Sequence, residues 1–251
     1  MRLDRYLVEK GFVETRSKAL QLIKGRQVKV NGKIVKKGGV EVSPTDRVEV
    51  EEGFQYVGRG GYKLAELLEI EPIEMEGKIV LDVGSSTGGF TQVALQKGAK
   101  KVVAVDVGRN QLHPTLKKDP RVESIEETDI RDFTYPHQFP VVITDVSFIS
   151  LTQILPALDR LTQPGGTLLL LFKPQFEVGK EAKRNSRGVV IDEGAITQAR
   201  RRFEGECKKL GWQLIASHPS PITGKEGNRE FGYWFRKEKK FRPKDVSSPE
   251  R

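Results

Sequence analysis

The stretch IVLDVGSSTGGF, residues 79–90, decides the fold. Its first five residues are mostly apolar and predict a strand, and the glycine-rich turn that follows leads into a predicted helix over 91–96. Glycine lets the backbone approach a ligand closely, and the first turn of a helix offers free N–H groups. The stretch therefore predicts a strand, a ligand-binding loop and a helix in succession.

Outward from this stretch, further strand-like runs alternate with helical stretches. These runs cover residues 102–106, 141–145 and 167–172. Such alternation predicts an α/β fold, a doubly wound parallel sheet with helices on both faces. Residues 211–236 predict two more strands around a polar loop. Because the carboxyl ends of parallel strands face the ligand crevice, polar residues at these ends are the first candidates for a functional site.

The loop distinguishes between two kinds of cofactor. A dinucleotide site favours the pattern G-x-G-x-x-G, whereas this chain has DVGSSTGGF, with an acid two residues before the first glycine. This form resembles the methyl-donor loop of Rossmann-like class I methyltransferases, and the resemblance implies S-adenosylmethionine as the cofactor. Asp106, at the end of the second predicted strand, is suited to accept hydrogen bonds from ribose hydroxyls.

Eight residues are candidates for holding this cofactor. By the same resemblance, Asp82 is expected at the methionine end, and Asp129 at the adenine amine. The full set is Asp82, Gly84, Ser85, Gly88, Gly89, Phe90, Asp106 and Asp129. In the alternative interpretation, Asp82 and Asp106 are simply acids of strand-end turns. The occurrence of all three acids in order favours the cofactor site.

The first 37 residues carry most of the excess positive charge. The chain has a net charge of +9, and this stretch holds eleven lysines and arginines against three acidic residues. The pattern of residues 1–52 predicts two short helices, with Thr15 as N-cap of the second, then a hairpin across Asn31-Gly32 and a strand at 48–50. Such a basic chain favours a polyanionic partner, either nucleic acid or an anionic membrane surface.

The N-terminal unit resembles the small α+β RNA-binding domain named for ribosomal protein S4. The resemblance rests on RLDRYL at 2–7, RSKA at 16–19 and VNG at 30–32. It implies RNA contacts from basic side chains and from the tight turn. The candidates are Arg5, Arg16, Lys18, Lys24, Arg26 and Asn31. A solvated basic face is the alternative interpretation.

The chain is expected to divide into an RNA-binding domain over 1–52, a glycine-rich linker over 53–62, a methyltransferase domain over 63–236 and a charged, disordered tail over 237–251. No apolar run approaches the roughly 18 residues that a membrane span needs. The N-terminus lacks the apolar core of a secretory signal. The single cysteine, Cys207, excludes an internal disulfide and a cysteine-based zinc site, and no metal is expected. We expect a cytoplasmic protein, and the sequence identifies no protein partner.

Two candidate catalytic side chains lie at the ligand-facing ends of predicted strands. Asp145 ends the run at 141–145, and Lys173 follows the run at 167–172. A buried lysine needs a carboxylate partner or loses its proton, and Asp145 and Glu230 are candidate partners. Taken alone, Lys173 could also be a snorkelling strand-end lysine, and Glu230 a surface residue.

Two other methylation chemistries fit the sequence poorly. The segment after Asp145 lacks the Pro-Pro-aromatic motif that is usual in DNA methyltransferases acting on exocyclic amines. Methylation of a pyrimidine ring carbon uses a cysteine nucleophile, and Cys207 lies in a predicted helix between charged residues. Both observations favour a different acceptor.

Four further motifs join those of the N-terminal unit, which are GRGGYKL at 58–64, residues 81–90, DVSFIS at 145–150 and KPQFE at 173–177. By these motifs nearly the whole chain resembles the TlyA family, haemolysin A-type proteins understood as ribosomal RNA 2′-O-methyltransferases. The catalytic domain is similar to FtsJ-type RNA 2′-O-methyltransferases. The tetrad of that type falls here on Lys63, Asp145, Lys173 and Glu230. The resemblance implies methylation of cytidine ribose in the RNA of one or both ribosomal subunits.

In this hypothesis Lys173 lies against the ribose 2′-oxygen and guides or accepts its proton, while Asp145 orients the lysine. Glu230 positions Lys63 and the ribose. Three other functions stay open: a membrane-active haemolysin, a non-enzymatic RNA-binding or ribosome-assembly factor, and a methyltransferase that acts on a base or a protein. The first predicts an amphipathic or spanning segment and the second predicts loss of tetrad or loop residues, and the sequence shows neither.

Overall fold

The computed structural model describes residues 1–50 and 56–239, which form two units with separate sheets. The N-terminal unit contains helices α1 (Leu3–Glu9) and α2 (Arg16–Lys24) and strands β1 (Val28–Val30), β2 (Lys33–Ile34) and β3 (Val48–Val50). Its strands pair antiparallel in the order β2-β1-β3.

Local chemistry explains these N-terminal elements. The Thr15 hydroxyl accepts a hydrogen bond from the amide of Lys18 and caps α2. Asn31 and Gly32 have φ of 54° and 75°, the left-handed pair that suits a two-residue hairpin turn. The two predicted helices, the hairpin and the third strand are therefore confirmed.

The larger unit is a seven-stranded sheet with helices on both faces. Its helices are α3 (Arg59–Ile70), α4 (Gly89–Gln96), α5 (Pro114–Lys117), α6 (Leu151–Leu161), α7 (Pro174–Glu177) and α8 (Glu193–Lys209). Its strands are β4 (Ile79–Val83), β5 (Lys101–Val105), β6 (Val122–Ile125), β7 (Phe139–Thr144), β8 (Thr162–Phe172), β9 (Trp212–Pro219) and β10 (Phe231–Lys237). The strand order is β6-β5-β4-β7-β8-β10-β9, and the predicted doubly wound fold is confirmed.

The direction of the strands determines at which edge of the sheet the candidate site residues lie, and we call this edge the functional edge. The first five strands of the order run parallel, so their carboxyl ends meet at one edge of the sheet. Strand β10 instead pairs antiparallel with both β8 and β9. Phe231 at its start pairs with Phe172 at the end of β8. The chain just before β10 therefore lies at the same edge.

Two apolar layers cover the faces of this sheet. One contains side chains of α6 and α8, such as Leu155 and Phe203, and the other contains side chains of α3 and α4, such as Leu67 and Val93. Each of these side chains is at least 98% buried, and full burial of one such side chain contributes about 1.5–3 kcal/mol. Packing on both faces fixes the sheet and thereby the positions of the residues at its edge.

The glycine-rich segment differs from the predicted linker over 53–62. Helix α3 begins within it, and the first turn packs against the glycine-rich loop after β4. A Cβ atom on Gly58 would lie 2.3 Å from the Thr87 hydroxyl, and one on Gly89 would lie 2.4 Å from the Gly61 nitrogen. The glycines here permit close backbone contact between two ordered segments.

The predicted tail over 237–251 also begins differently, because β10 continues to Lys237. The Lys237 ammonium donates to the main-chain carbonyls of Asp159 at 2.6 Å and Thr162 at 3.1 Å. Residues 53–55 of the predicted linker and 240–251 of the predicted tail lie outside the described residues.

The two units meet along α3. The Tyr62 hydroxyl donates to Gln27 Oε1 at 2.8 Å, and Arg26 Nε lies 3.3 Å from Glu66 Oε1. The Tyr62 ring also packs on Gly25, where a Cβ atom would come within 2.7 Å of the ring. The N-terminal unit is therefore held beside the first turns of α3.

Candidate active site

The four predicted catalytic side chains line one cavity at the functional edge of the sheet. Its volume is about 660 Å³. Lys63 lies in α3, Asp145 directly follows β7, Lys173 directly follows β8, and Glu230 directly precedes β10. Because β7, β8 and β10 are neighbours in the sheet, residues far apart in sequence come together here.

Lys173 and Asp145 form an ion pair, with Nζ 2.6 Å from Oδ1. The lysine also donates a hydrogen bond to Ser147 Oγ at 2.9 Å. Its side chain is only 8% exposed, so these oxygens replace the water that the ammonium group loses on burial. The two acceptors hold the amine at a defined position in the cavity.

Lys63 and Glu230 form a second ion pair, with Nζ 2.6 Å from Oε2. Their side chains are 8% and 2% exposed. The register of β8 and β10, continued by one residue, sets Glu230 opposite Lys173. The carboxylate nevertheless pairs with the lysine of α3, so the cavity holds two separate ion pairs whose charges balance.

This arrangement can bind and orient a hydroxyl group. An ammonium group is a donor to an oxygen atom, and a carboxylate is an acceptor from a hydroxyl. A lysine that transfers its proton to a neighbouring carboxylate or to solvent can in turn accept a proton from a substrate hydroxyl. The site therefore suits proton transfer and positioning.

The glycine-rich loop forms one wall of this cavity. Gly84 and Gly88 have φ of 79° and 97°, which only glycine adopts without strain. A Cβ atom on Gly84 would lie 2.9 Å from the Asp145 main-chain oxygen, so glycine also lets the loop lie against the end of β7. Four of the predicted cofactor residues line the cavity beside the tetrad, namely Gly84, Ser85, Gly89 and Phe90.

Asp82 lies beneath this loop and outside the cavity wall. Its side chain is fully buried, and Oδ2 accepts a hydrogen bond from the Thr91 hydroxyl at 2.6 Å. Burial above all, with the charges of Asp145 and Asp106, raises the pKa of Asp82 to about 7 against the lowering effect of the Thr91 hydrogen bond. The carboxyl group faces α4 and supports the loop from below. The contact of Asp82 with the methionine end stays a prediction.

A second cavity of about 500 Å³ adjoins the first. The two share lining residues, among them Gly84, Asp145 and Phe148. Asp106 and Asp129 both line the second cavity, as do Val107 and Ile130. A site with two acids and an apolar wall suits a ligand that has hydroxyl or amine groups and a flat apolar ring.

The two acids of the second cavity already hold protein donors. Asp106 accepts the amides of Ser86 at 2.8 Å and Gly108 at 2.7 Å. Asp129 pairs with Arg131 at 2.6 Å, and this hydrogen bond lowers the pKa of Asp129. A carboxylate offers about four acceptor positions, so both side chains keep capacity for a ligand.

The predicted RNA-binding side chains differ in their availability. Three of them are held by ion pairs, which are Arg16–Asp4 at 2.9 Å, Lys18–Glu14 at 2.6 Å and Arg26–Glu66 at 3.3 Å. Asn31 braces its own turn, since its side chain donates to Asp46 and accepts from the Arg47 amide. Arg5 and Lys24 are exposed and have no ion pair within the part of the chain that the structure describes.

Sequence reasoning missed two side chains that brace the catalytic segment. Ser147 accepts the hydrogen bond from Lys173. Glu177, buried at the end of α7, accepts the amide of Leu151 at 2.7 Å and the hydroxyl of Ser150 at 2.6 Å. Burial raises the pKa of Glu177 against these hydrogen bonds. Both residues lie in the motifs after β7 and β8, and their polar character in those apolar surroundings was the available signal.

The mouth of the first cavity carries an aromatic ring and cations that also escaped prediction. Phe148 is 91% exposed and has a φ of 65°, a backbone conformation that is uncommon for a bulky residue. Its ring centroid lies 5.3 Å from that of Phe176. Arg59, Arg187 and Lys225 line the same cavity. Loop residues of this kind have no periodic pattern that could have marked them.

Cys207 lies in α8, where its side chain packs in the core and is fully buried. Burial raises the pKa of its thiol, so the reactive thiolate is disfavoured. The residue lies outside both cavities, which argues against methylation through a cysteine nucleophile. Within residues 1–50 and 56–239, no helix has the length and apolar character needed to cross a membrane.

Comparison with protein families assigns a family to each of the two units. Residues 56–237 match the FtsJ-like methyltransferase family, and residues 1–48 match the S4 domain. The first match covers well over half of the chain.

Several relatives match this chain across both units. The 23S rRNA (cytidine-2′-O)-methyltransferase TlyA of Campylobacter jejuni is 41% identical, over 94% of this chain and 99% of that protein. The 16S/23S rRNA (cytidine-2′-O)-methyltransferase TlyA of Mycobacterium tuberculosis is 38% identical, over 94% of this chain and 89% of that protein. A solved Streptococcus thermophilus structure that carries a hemolysin name superposes with a TM-score of 0.71 at 36% identity, over 95% of this chain and 88% of that one.

Proposed function

We propose that this chain, which belongs to the FtsJ-like methyltransferases and within them to the TlyA family, methylates a ribose 2′-hydroxyl in ribosomal RNA. The observation that carries the proposal is the pair of buried ion pairs, Lys173–Asp145 and Lys63–Glu230, in one cavity beside the glycine-rich loop. Cytidine is the proposed nucleotide because the names of both TlyA relatives specify it.

The residues around the two cavities fit S-adenosylmethionine as the cofactor. Gly84 and Ser85 line the first cavity, and Asp106 and Asp129 in the second can accept hydrogen bonds from ribose hydroxyls and an adenine amine. Val107 is 70% exposed and offers an apolar surface beside them. When bound, S-adenosylmethionine supplies an electrophilic methyl group. These residues would hold it with the methionine end toward the tetrad.

Lys173 is the residue proposed to act on the acceptor hydroxyl. Its amine faces the cavity and is fixed by Asp145 and Ser147. We assign it the role of binding the 2′-oxygen. Once the Lys173 ammonium has released a proton to solvent, the neutral amine accepts the proton of the hydroxyl, and a general base must lie within hydrogen-bond reach of the proton that it removes. Asp145 keeps the amine aimed at that oxygen, and positioning of this kind supplies a large part of the rate.

Lys63 and Glu230 are proposed to position the ribose. Their ion pair lies in the same cavity, and its almost complete burial fixes both side chains. A fixed ammonium donor and a carboxylate acceptor match the hydroxyl groups and oxygens of a sugar. Phe148 at the cavity mouth offers a ring on which the base of an unpaired nucleotide can stack.

A labelling experiment tests the proposal. Purified protein would be incubated with S-adenosylmethionine carrying a labelled methyl group and, in separate reactions, with small and large ribosomal subunits from a strain that lacks the enzyme. The RNA would then be digested to nucleosides. We expect the label in 2′-O-methylcytidine, at a position that resists alkaline cleavage, because a methylated 2′-oxygen cannot attack the neighbouring phosphate.

Two results would contradict this function in different ways. Label in a base-methylated nucleoside or in protein would show a different acceptor for the same fold. Absence of label in both subunits, with cofactor binding confirmed by calorimetry, would favour a non-enzymatic RNA-binding or assembly role.

A further inference from the structure

A groove runs between the N-terminal unit and the larger unit. Its volume is about 710 Å³, within the range of ligand sites. We call it the interdomain groove and define it by six of its lining residues, which are Lys18, Gln21, Lys24, Arg59, Tyr62 and Lys225. The first three lie on one face of α2, the next two lie in the first turns of α3, and the last lies in the loop between β9 and β10.

The interdomain groove shares a wall with the catalytic cavity. Arg59 and Lys225 line both. Arg59 is fixed there because its guanidinium group donates to the Thr223 carbonyl at 2.7 Å. The groove therefore adjoins the cavity that holds the tetrad, at Arg59 and Lys225.

The charge of the groove has one sign. Its described lining residues include four lysines and arginines and no aspartate or glutamate. Lys24 and Lys225 are exposed and form no ion pair within the described ranges 1–50 and 56–239. By contrast, Arg16, the first residue of α2, is directed to Asp4, and Arg26, two residues after the helix ends, is directed to Glu66. Two free cations thus point to a polyanionic occupant.

The groove floor is rigid and partly aromatic. Tyr62 is edge-on to Tyr56, with ring centroids 4.9 Å apart, and its hydroxyl donates to Gln27. A fixed ring beside lysines is the combination that binds single-stranded nucleic acid, since bases stack on aromatic rings while cations contact phosphates.

We propose that the interdomain groove holds the single-stranded RNA that directly flanks the methylated nucleotide. The proposal rests on the proposed function, because continuity with the catalytic cavity is what selects RNA among polyanions. Lys24 and Lys225 contact phosphates on either side of the groove, and Arg59 marks the point where the strand enters the cavity.

The test compares three single variants of the full-length chain: Lys24→Ala, Lys225→Ala and Lys100→Ala. Lys100 is the matched control, since it is exposed, has no ion pair in the described residues and lies before β5, at the opposite edge of the sheet. Binding of a fluorescent single-stranded RNA of about ten nucleotides would be measured by anisotropy over a range of salt concentrations. Calorimetry of S-adenosylmethionine binding would check that each variant is folded.

We expect each groove variant to bind the RNA roughly 3- to 10-fold more weakly, and the slope of log affinity against log salt to fall by about 0.7 for each lost phosphate contact. The control should stay within about twofold of the original chain by the same reasoning. Photo-crosslinking of a 4-thiouridine RNA should in addition label peptides that contain Tyr62 or Lys225.

Groove variants that match the control, with cross-links confined to the surface of α1 and the β1–β2 hairpin, would overturn the groove assignment. The anisotropy and cross-linking measurements report RNA binding, whereas the labelling experiment described above reports methylation. A chain that binds RNA in the groove but methylates no ribosomal RNA would contradict the proposed function alone, whereas full methylation by both groove variants would contradict the groove alone.

Discussion

Lys63 and Glu230 form an ion pair with almost no exposed surface. Removing one member of a buried pair leaves an uncompensated charge, whereas removing both does not. We expect Lys63→Ala alone to lower the free energy of unfolding by about 3–5 kcal/mol. The double variant Lys63→Ala/Glu230→Ala should cost clearly less than the sum of the single variants.

Urea denaturation of the four chains of this double-mutant cycle measures the coupling. Strictly additive single effects would show that the two side chains do not stabilise each other. The ion pair would then not be the fixed element on which the proposed positioning of the ribose depends.

Asp82 makes stability depend on pH in an unusual direction. Its folded-state pKa of about 7 lies above the unfolded value of about 3.9, so the folded chain binds more protons between these values. The contribution of Asp82 to the free energy of unfolding therefore falls as pH rises from about 4 to about 7, and the loss is complete above that range. The cause is the burial of a carboxyl group for which Thr91 is the one hydrogen-bond donor among the described residues.

The variant Asp82→Asn keeps an acceptor for Thr91 but cannot ionise. We expect its stability relative to the original chain to improve by roughly 2 kcal/mol between about pH 5 and about pH 8. Asp119→Asn is the control. Its hydrogen bonds with Arg121 lower the pKa of Asp119, so the stability difference of this variant should stay constant between about pH 5 and about pH 8 and shrink only as pH falls below about 4. A pH-independent difference for Asp82→Asn would contradict the buried titration.

At the scale of elements, Glu177 connects α7 to the start of α6. Its carboxylate accepts from the Leu151 amide and the Ser150 hydroxyl, which fixes the segment that carries Ser147 and Phe148 next to Lys173. We expect Glu177→Ala to lower kcat roughly tenfold, because small misplacements of catalytic groups are costly. Cofactor affinity should change little.

A second helix cap separates this positioning effect from simple loss of stability. Asp192 caps α8 by accepting the Ala195 amide at 2.9 Å, and it lies outside both cavities. Asp192→Ala should lower stability by about 1 kcal/mol and leave kcat unchanged. Equal kcat in the two variants at matched folded fractions would refute a positioning role for Glu177.

The elements also show how far sequence could predict the site. Asp145 and Lys173 were predictable as neighbours because both follow parallel strands, whose carboxyl ends share one edge. The place of Glu230 depends on β10 pairing antiparallel with β8, and neither the pairing nor its register can be read from a single sequence. Asp82 lines neither cavity, and pattern alone does not show which side of a strand end faces the ligand.

At the scale of the whole molecule, the S4 unit and the methyltransferase unit contact each other beside the catalytic cavity. The sequence predicted the basic N-terminal unit, but it could not show which of its lysines and arginines form ion pairs with acidic side chains. Arg16 is paired with Asp4, a fully buried acid whose pKa is lowered to about 2, first of all by its hydrogen bond with Arg2. Arg5 is exposed and has no such partner in the described residues.

This difference predicts two kinds of variant in the N-terminal unit. Arg5→Ala should weaken binding to ribosomal subunits and lower the salt dependence of binding, because a phosphate contact is lost. Arg16→Ala should chiefly lower stability, because the buried Asp4 loses one of its two cations. Filter binding at several salt concentrations and thermal denaturation distinguish the two. Loss of stability without loss of RNA affinity in Arg5→Ala would reverse the assignment.

Lys173, held by Asp145, is the residue proposed to act on the ribose hydroxyl. The most direct test measures single-turnover methyl transfer to ribosomal subunits by the original chain, by Lys173→Ala and by Lys180→Ala, an exposed control lysine outside the cavity. We expect Lys173→Ala to bind S-adenosylmethionine normally and to transfer the methyl group about 10²- to 10⁴-fold more slowly, while Lys180→Ala is unaffected. Transfer by Lys173→Ala within a few-fold of the original rate would show that Lys173 does not act on the hydroxyl.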